Sequence, residues 1–285
     1  MTSQDSTLSK QIEDILVRQN LRGMRDVQPA LQTGYYARAA RYLHNIKGTV
    51  LIGTGFPVVD TFETDGPVGA IALYQTLKHL GADPIIVCGK PISKMLAPDY
   101  RIHEIQVGEH DERELEALEA LARYRPEAVV SIERPGQAKD GGYYNMRGES
   151  ISARTACFDT FVRAANCPTI GIGDGGNEIG MGNIYDAISK LNIVPSATRV
   201  DELLIADVSN WGAYGLIALL GYWSGEDLLA RIDPPAILRY LSERGSVDGV
   251  TRLNELTEDG LPFNEGEYVI AQLREITGFA TLTPQ

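Results

Sequence analysis

The stretch TVLIGTGFPVVDTFETDGPVGAIALYQTLKHLGADPIIVCG, residues 49–89, decides the fold. It opens with the apolar, β-branched run TVLIGTG and ends with a second such run, PIIVCG, and both are typical of buried strands. The residues between them predict a helix from Pro67 to Leu80, because proline suits the first turn of a helix and Gly81 ends it. A strand, a helix and a second strand in this order predict a βαβ unit with parallel strands.

The same alternation continues along the chain. A helical pattern, DERELEALEALARY (111–124), precedes the strand-like run AVVSI (128–132). Two more strand-like runs, PTIGIG (168–173) and LLIADV (203–208), follow with helices expected around them. This order predicts an α/β fold of three layers, in which helices flank a mostly parallel, Rossmann-like sheet. Ligands of such sheets bind at the carboxyl ends of the strands, so the residues that follow each strand carry the most functional weight.

Helical patterns also lie at both ends of the chain. Residues 1–45 have apolar positions at helical spacing, interrupted by Gly23 and Pro29, and predict a helical extension packed on the sheet. From Asp233 onward, further helices and the turns DGV and EDGLP are predicted to close one side. Because no internal repeat or Pro/Ser-rich linker is present, the sequence predicts a single domain over residues 1–285.

The composition narrows the kinds of partner. With 44% hydrophobic and 22% charged residues the chain is an ordinary globular protein, and its net charge of -12 argues against nucleic acid and anionic membranes. We therefore expect a small-molecule partner, while a homo-oligomer stays open. The cysteines Cys88, Cys157 and Cys167 form no C-x-x-C pair, so we expect reduced thiols. No apolar run or signal pattern marks a membrane or export segment, so we expect a soluble, unprocessed, cytoplasmic protein.

A glycine-rich loop, GIGDGGNEIGMGN (171–183), follows the PTIGIG strand. Its first six residues satisfy G-x-G-x-x-G, which ordinarily suggests a dinucleotide pyrophosphate at a helix N-terminus. Asp174 and Glu178, however, lie where the phosphate would lie and would repel it unless a cation intervened. The acidic residue expected to bind the ribose follows the glycines by roughly 20 residues in such folds, whereas Asp207 lies well beyond that spacing. The loop favours a cation or an ammonium group.

Two other strand ends carry polar residues. The residues after TVLIGTG include Glu63 and Asp65, ahead of Pro67, and Asp65 is equally well explained as a cap of the helix that begins there. After LLIADV come Ser209 and Asn210, but Ser209 lies outside a G-x-S-x-G elbow and is not expected to be a hydrolase nucleophile.

The loop after AVVSI, ERPGQAKDGGYYNMRGESI (133–151), brings three cations together in an acidic chain. Arg134, Lys139 and Arg147 suggest a clamp for an anion, because arginine makes bidentate contacts with carboxylates. A solvated basic loop is the alternative. Carboxylates, amides and cations at neighbouring strand ends together suit a polar, zwitterionic substrate.

Other chemistries have less support. The chain has no P-loop motif. Its histidines lie outside the glycine-rich loops and lack H-x-x-x-H spacing, which argues against a zinc hydrolase. We expect surface or structural roles for His44, His79, His103 and His110. A hard cation such as Mg²⁺ or Ca²⁺ is the one cofactor that the residues suggest, with Asp174 and Glu178 as ligands near Asn177, although the EF-hand spacing is absent.

At these residues the sequence resembles the D-glutamate cyclase family, and specifically its C-terminal domain. The resemblance lies in GTGFPVVDTFETDGPVGA, ERPGQAKDGGYYNMRGESI, GIGDGGNEIGMGN and ADVSNWGAYGL, with TEDGLP as a weaker fifth segment. It implies a lyase of the hydro-lyase type that closes D-glutamate to 5-oxo-D-proline with loss of water. The two-domain members of the family carry a second, hydro-lyase-like domain that this chain lacks.

The resemblance also suggests roles for the residues. Arg134 and Arg147 would hold the α-carboxylate, Lys139 and the amides of the glycine loop would stabilise the oxyanion, and Asp174 or Glu178 would transfer protons. An amino-acid or dicarboxylate binding module without chemistry and a Mg²⁺-dependent nucleotide enzyme are the alternatives. The full set of expected substrate-binding residues is Glu63, Thr64, Asp65, Gly66, Arg134, Asp140, Tyr144, Asn145, Arg147, Gly175, Gly176, Asn177, Ser209 and Asn210.

Overall fold

The structure is a computed structural model that describes residues 2–108 and 112–280, so His110 lies outside the described residues. The strands are β1 (Thr49–Thr54), β2 (Pro57–Val58), β3 (Thr61–Phe62), β4 (Asp83–Cys88), β5 (Ile102–Glu104), β6 (Ala128–Ile132), β7 (Thr169–Gly173), β8 (Glu202–Ile205), β9 (Thr257–Glu258) and β10 (Leu261–Pro262). The α-helices are α1 (Ser3–Leu16), α2 (Met24–Val27), α3 (Tyr35–Leu43), α4 (Pro67–His79), α5 (Ile92–Leu96), α6 (Arg113–Tyr124), α7 (Asp159–Ala164), α8 (Tyr185–Ile188), α9 (Ser209–Ser224), α10 (Pro234–Ser242) and α11 (Asn264–Ile276). Short 3-10 helices cover Gln28–Ala30, Ser152–Arg154, Met181–Ile184 and Leu229–Arg231.

Six strands form one parallel sheet in the order β5-β4-β1-β6-β7-β8. The chain runs outward from β1 to β5 on one side, then returns to place β6, β7 and β8 on the other. The order of the strands therefore reverses between β1 and β6, which is where open parallel sheets bind ligands. The predicted Rossmann-like, three-layer α/β fold is confirmed, with all six strands of this sheet parallel.

Alternate side chains of the strands enter two cores. Val50 and Ile52 of β1 pack with α4 and α9 in the larger core, whereas Leu51 points to the smaller core beneath α6 and α7. Helix α9 lies between the sheet and the outer helices α1, α3 and α11, which explains why the segment SNWGAYGLIALLGYW is apolar on all sides. The three layers are thus helices, sheet and helices.

The N-terminal helices pack on α9 and on the edge of the sheet. Helix α1 buries Leu8, Ile12 and Leu16 on one face, and the Tyr36 hydroxyl of α3 donates a hydrogen bond to the Ile205 carbonyl, 3.1 Å away. The link between α1 and α3 is held by Asp207, whose carboxylate accepts the backbone N–H of Gln19 at 2.7 Å. This link runs to the carboxyl ends of the strands, so the N-terminal region contributes to that edge.

The structure differs from the sequence-based expectation in the connections. A helix was expected between AVVSI and PTIGIG, but most of this segment is an irregular loop and its helix, α7, has only 6 residues. Glycines and a proline in residues 133–151 disfavour a helix there. The TEDGLP segment forms a small hairpin of β9 and β10 rather than a turn alone. Among the described residues no helix is both long and apolar enough to cross a membrane.

Candidate functional site

Polar loops from four adjacent strands meet at the carboxyl edge of the sheet. Glu133 is the first residue after β6 and Asp174 the first after β7. The loop after β1 contributes Glu63 and Asp65, and the start of α9 after β8 contributes Ser209. Because β1, β6, β7 and β8 are neighbours in the sheet, their loops lie side by side at the point where the strand order reverses.

Seven buried carboxylates gather there, and we call them the acidic cluster: Glu63, Asp65, Glu133, Asp174, Glu178, Glu258 and Asp259. Within residues 2–108 and 112–280, Arg22 is the one cation that forms ion pairs with this cluster. Its Nη1 lies 2.6 Å from Asp174 Oδ1, and its Nη2 lies 2.7 Å from Asp259 Oδ1. One guanidinium cannot balance seven carboxylates, so the cluster must also hold protons or bind a further cation.

Asp65 caps a helix other than the one it precedes. Its Oδ1 accepts the backbone N–H of Asn210 at 2.8 Å and its Oδ2 accepts that of Ser209 at 2.9 Å, at the beginning of α9. Its own helix, α4, starts after Gly66, whose φ of 89° favours glycine. A Cβ on Gly66 would lie 2.7 Å from the Cβ of Glu133, so this glycine lets two loops of the cluster approach.

The glycine loop folds around its own glutamate. The backbone N–H groups of Gly175 and Gly176 donate to the two carboxylate oxygens of Glu178, at 2.9 and 2.7 Å. Gly176 has a φ of 110°, and a Cβ there would come within 2.6 Å of Ile188. These two amides are therefore directed at a carboxylate of the chain itself.

Glu133 joins the loops after β6 and β8. It has a φ of 46°, which is uncommon for a residue with a side chain, and its Oε2 accepts the Ser209 hydroxyl at 2.5 Å. Asn210 makes a second link: its Oδ1 accepts the N–H groups of Gly66 and Gly69, and its Nδ2 donates to Glu258 Oε1 at 2.7 Å.

Burial is the main cause that raises the pKa values of the cluster. It raises the pKa of Asp65 to about 7 and that of Glu258 to about 7, and it raises the pKa of Asp174 well above its usual range. Burial alone would lower the pKa of Arg22, but Asp174 and Asp259 raise it well above its usual range. Arg22 thus stays charged while some of the carboxyls keep a proton near neutral pH.

A cavity of about 190 Å³ opens beside the cluster. Arg22, Glu63, Glu133 and Asn177 line its inner part. The Glu63 carboxylate forms no hydrogen bond or ion pair with any residue that the structure describes, so it is free to meet a ligand. A cation or ammonium group in the cavity would find this carboxylate unpaired.

Three exposed arginines line the outer part of the same cavity, and we call them the arginine rim: Arg147, Arg154 and Arg252. Arg147 donates to the Val250 carbonyl, Arg154 to the Val59 carbonyl and Arg252 to the Glu149 carboxylate. The cavity therefore has positive charge at its rim and negative charge inside, an arrangement that complements a zwitterion with its carboxylates outward.

The remaining residues predicted for the site fall into two groups. Thr64 and Asn145 lie near the site. The Thr64 carbonyl, next to Asp65, accepts a hydrogen bond from the Asn210 side chain, and Asn145 lines the cavity. Tyr144 offers its carbonyl to the Asn177 side chain, while its hydroxyl turns to the exposed Asp140.

Arg134 and Lys139 lie elsewhere. The Arg134 guanidinium is buried and donates to the carbonyls of Thr54, Gly55 and Ala156, so it fixes loops beside the cavity. The Lys139 ammonium lies 3.8 Å from the centroid of the Tyr185 ring, beside a different and more open cavity.

The sequence-based reasoning missed several residues of the site. The TEDGLP segment, the weakest of the motifs, carries Glu258 and Asp259 and was the available signal for them. Arg22 lies beside Gly23 in the interruption between two helical patterns, and no motif marks it. Nothing in the sequence marked Arg154 and Arg252, because loops distant along the chain bring them to the rim.

Comparison with known proteins gives a family match over most of the chain. Residues 12–274 match the model of the family described as D-glutamate cyclase-like, C-terminal. The mitochondrial D-glutamate cyclase of Homo sapiens is 33% identical over 199 residues, which are 60% of this chain and 32% of the human protein. This chain therefore corresponds to about a third of that relative.

Solved structures give more distant matches. An exopolyphosphatase-related protein from Bacteroides fragilis aligns with a TM-score of 0.44 and 11% identity, covering 86% of this chain and 57% of that one. A 3-oxoacyl (acyl-carrier-protein) reductase from Agrobacterium tumefaciens aligns with a TM-score of 0.26 and 11% identity, covering 73% and 70%. By the family match over residues 12–274, this chain belongs to the D-glutamate cyclase-like C-terminal family.

Proposed function

We propose that the protein is a lyase that closes D-glutamate to 5-oxo-D-proline with loss of water. The observation that carries the proposal is the charge arrangement of the cavity, in which the arginine rim stands over Glu63 and Glu133. The human relative is named D-glutamate cyclase, and it shares 33% identity with this chain.

The charges in the cavity match the charged groups of glutamate. The α-carboxylate would pair with guanidiniums of the rim, where a planar fork gives bidentate contacts. The ammonium would lie against the Glu63 carboxylate, which has no hydrogen bond or ion pair with a described residue. Held this way, the amine and the γ-carboxyl are fixed within one small space, and ring closure gains an effective molarity on the order of 10⁵ M or more.

Ring closure needs a base and an acid. The amine nitrogen attacks the γ-carboxyl carbon, the C–N bond forms, and a C–O bond breaks. The ammonium loses two protons, and both leave with the γ-carboxylate oxygen as water, so the groups on the protein return to their starting state. Glu63 and Glu133 line the cavity and are the carboxyls placed to pass these protons, and burial raises the pKa of both.

Proton NMR of the purified protein tests the proposal directly. Incubation with D-glutamate should give 5-oxoproline above a protein-free control, and L-glutamate should give less. Glu63→Gln should lower the rate at least about 100-fold. Arg147→Ala should raise KM, because Arg147 lines the cavity. Arg239→Ala is the matched control, since this exposed arginine of α10 does not line the cavity. A folded protein that forms no product from either isomer would disprove the proposal.

Binding of an amino acid or dicarboxylate without chemistry is the second candidate. It is favoured by the fact that this chain corresponds to only 32% of the human relative, so the reaction of that protein can depend on its other parts. Calorimetry separates the two candidates: glutamate that binds stoichiometrically without turnover supports the binding module.

A further inference from the structure

We propose that Asp65, Asp174 and Asp259 together bind one divalent cation of the Mg²⁺ or Mn²⁺ type behind the wall of the cavity. One carboxylate oxygen from each of these residues lies within 4.8 Å of one from each of the others. Ligand oxygens at roughly 2.1 Å around an octahedral Mg²⁺ lie roughly 3.0 to 4.2 Å from one another. The upper limit of 4.8 Å is slightly wider than this range, so at most a small inward shift of the aspartates is needed for them to share one ion.

Unpartnered oxygens within the group point to a missing ligand. Asp174 is fully buried, and its Oδ2 has no hydrogen-bond partner in the part of the chain that the structure describes. The Oδ2 of Asp259 is in the same condition. The other oxygen of each carboxylate is paired with Arg22. Two buried acceptors left without a donor, side by side, are costly unless a proton or a metal ion lies between them.

Charge also favours a divalent ion. Three ionised aspartates paired with one guanidinium leave two negative charges, which a single divalent cation neutralises. Buried carboxylates are tolerated when they coordinate a metal ion. Carboxylate oxygens are the ligands that Mg²⁺ and Mn²⁺ prefer, and both ions retain waters that complete the coordination.

A second group of carboxylates, Glu133, Asp174 and Glu178, is equally compact, but its one buried oxygen without a hydrogen-bond partner among the described residues is that of Asp174. Both oxygens of Glu178 accept glycine N–H groups, and Glu133 Oε2 accepts the Ser209 hydroxyl. Asp174 belongs to both groups. The sequence suggests Glu178 as its partner ligand, whereas the second unpartnered buried oxygen belongs to Asp259, and Asp65 completes that group.

The proposed ion lies next to the cavity. Arg22 lines the cavity and contacts both Asp174 and Asp259, so the aspartates lie directly behind that side chain. The site does not depend on the cyclisation reaction, because its binding can be measured without any substrate.

Titration of metal-free protein with Mn²⁺ tests the site. The full chain is treated with EDTA, and free Mn²⁺ is followed by its electron paramagnetic resonance signal, with Mg²⁺ as the competitor. One Mn²⁺ per chain should bind, and Mg²⁺ should displace it. Asp259→Asn should weaken the binding at least tenfold.

The neighbouring Glu258→Gln is the matched control. It removes a buried carboxylate from the same cluster, but the amide still accepts the hydrogen bond from Asn210, so binding should change less than threefold. Circular dichroism melts establish that each variant is folded, and Asp174→Asn replaces Asp259→Asn if the latter unfolds. Absence of Mn²⁺ binding to the folded wild-type protein, or equal weakening by Glu258→Gln, would overturn the proposal. A protein that binds Mn²⁺ but forms no 5-oxoproline would uphold the site and reject only the proposed reaction.

Discussion

The acidic cluster and the arginine rim differ in burial and in their contacts. The carboxylates of the cluster are buried, and several accept hydrogen bonds from backbone amides. The guanidiniums of the rim are exposed and donate to loop carbonyls or to an exposed carboxylate. Two of the cluster's carboxylates, Glu133 and Asp174, are the first residues after neighbouring strands, so part of its geometry follows from the sheet. The rim depends on two segments distant along the chain, since Arg147 and Arg154 both lie between β6 and α7 and Arg252 lies between α10 and β9. The cluster should therefore be coupled strongly to the stability of the fold, and the rim chiefly to ligand binding.

Asp65→Ala should have the largest effect on stability. The substitution leaves the buried N–H groups of Ser209 and Asn210 at the start of α9 without their acceptor. Each unsatisfied buried donor costs about 1–3 kcal/mol, and relief of repulsion within the cluster offsets part of this. We expect the free energy of unfolding to fall by about 2–3 kcal/mol, measured by urea denaturation in EDTA. Asp65→Asn, which keeps one acceptor oxygen, should lose less; equal losses would show that the cap is not the cause.

Asp5 provides a buried carboxylate outside the cluster for comparison. Burial alone would raise its pKa, but hydrogen bonds from the Thr2 backbone and from Trp223, with Arg41 nearby, lower it to about 2. A lowered pKa stabilises the folded protein above pH 3.8, and this stability is lost as the pH falls toward 2. Asp5→Asn should therefore cost about 1–2 kcal/mol at pH 7.

The pH dependence is the control for this prediction. The difference in unfolding free energy between wild type and Asp5→Asn should shrink steadily below pH 3.8, as both proteins become neutral at this position. A difference that stays constant down to pH 3 would mean that packing against Trp223 and not charge stabilises the wild type.

How much of this the sequence predicts depends on whether a feature is local or distant along the chain. The βαβ unit was predictable because Pro67 and Gly81 bound a helix between two apolar runs. The meeting of Asp65 with Asp174 followed from the rule that parallel strands end at one edge. The direction of Arg134 could not be predicted, because it depends on the carbonyls of Thr54 and Gly55 that happen to lie in reach.

Glu63→Gln should stabilise the metal-free protein. Glu63 is buried beside Asp65 and Asp259, and its carboxylate has no hydrogen bond or ion pair with a described residue to compensate. Removing its charge relieves repulsion, so we expect a gain of about 1 kcal/mol in urea denaturation at pH 7.5 in EDTA. If Glu63→Gln lost cyclase activity but had a higher free energy of unfolding, Glu63 would be a residue that serves function at a cost in stability. A loss of stability would instead imply that Glu63 has a stabilising contact in solution.

Arg252→Ala should have the smallest effect on stability. Its guanidinium is exposed and pairs with an exposed carboxylate, Glu149, at 3.2 Å, and such surface pairs contribute little. We expect the free energy of unfolding to change by less than about 0.5 kcal/mol. Binding of glutamate should weaken about three- to tenfold, because Arg252 lines the cavity. High salt should weaken wild-type binding and reduce the difference between the two proteins, since exposed charges are screened. If Arg252→Ala bound glutamate as tightly as Arg239→Ala, the arginine rim would have no part in holding the ligand. The acidic cluster could still stabilise the fold, but the contrast with a rim that binds ligand would be wrong.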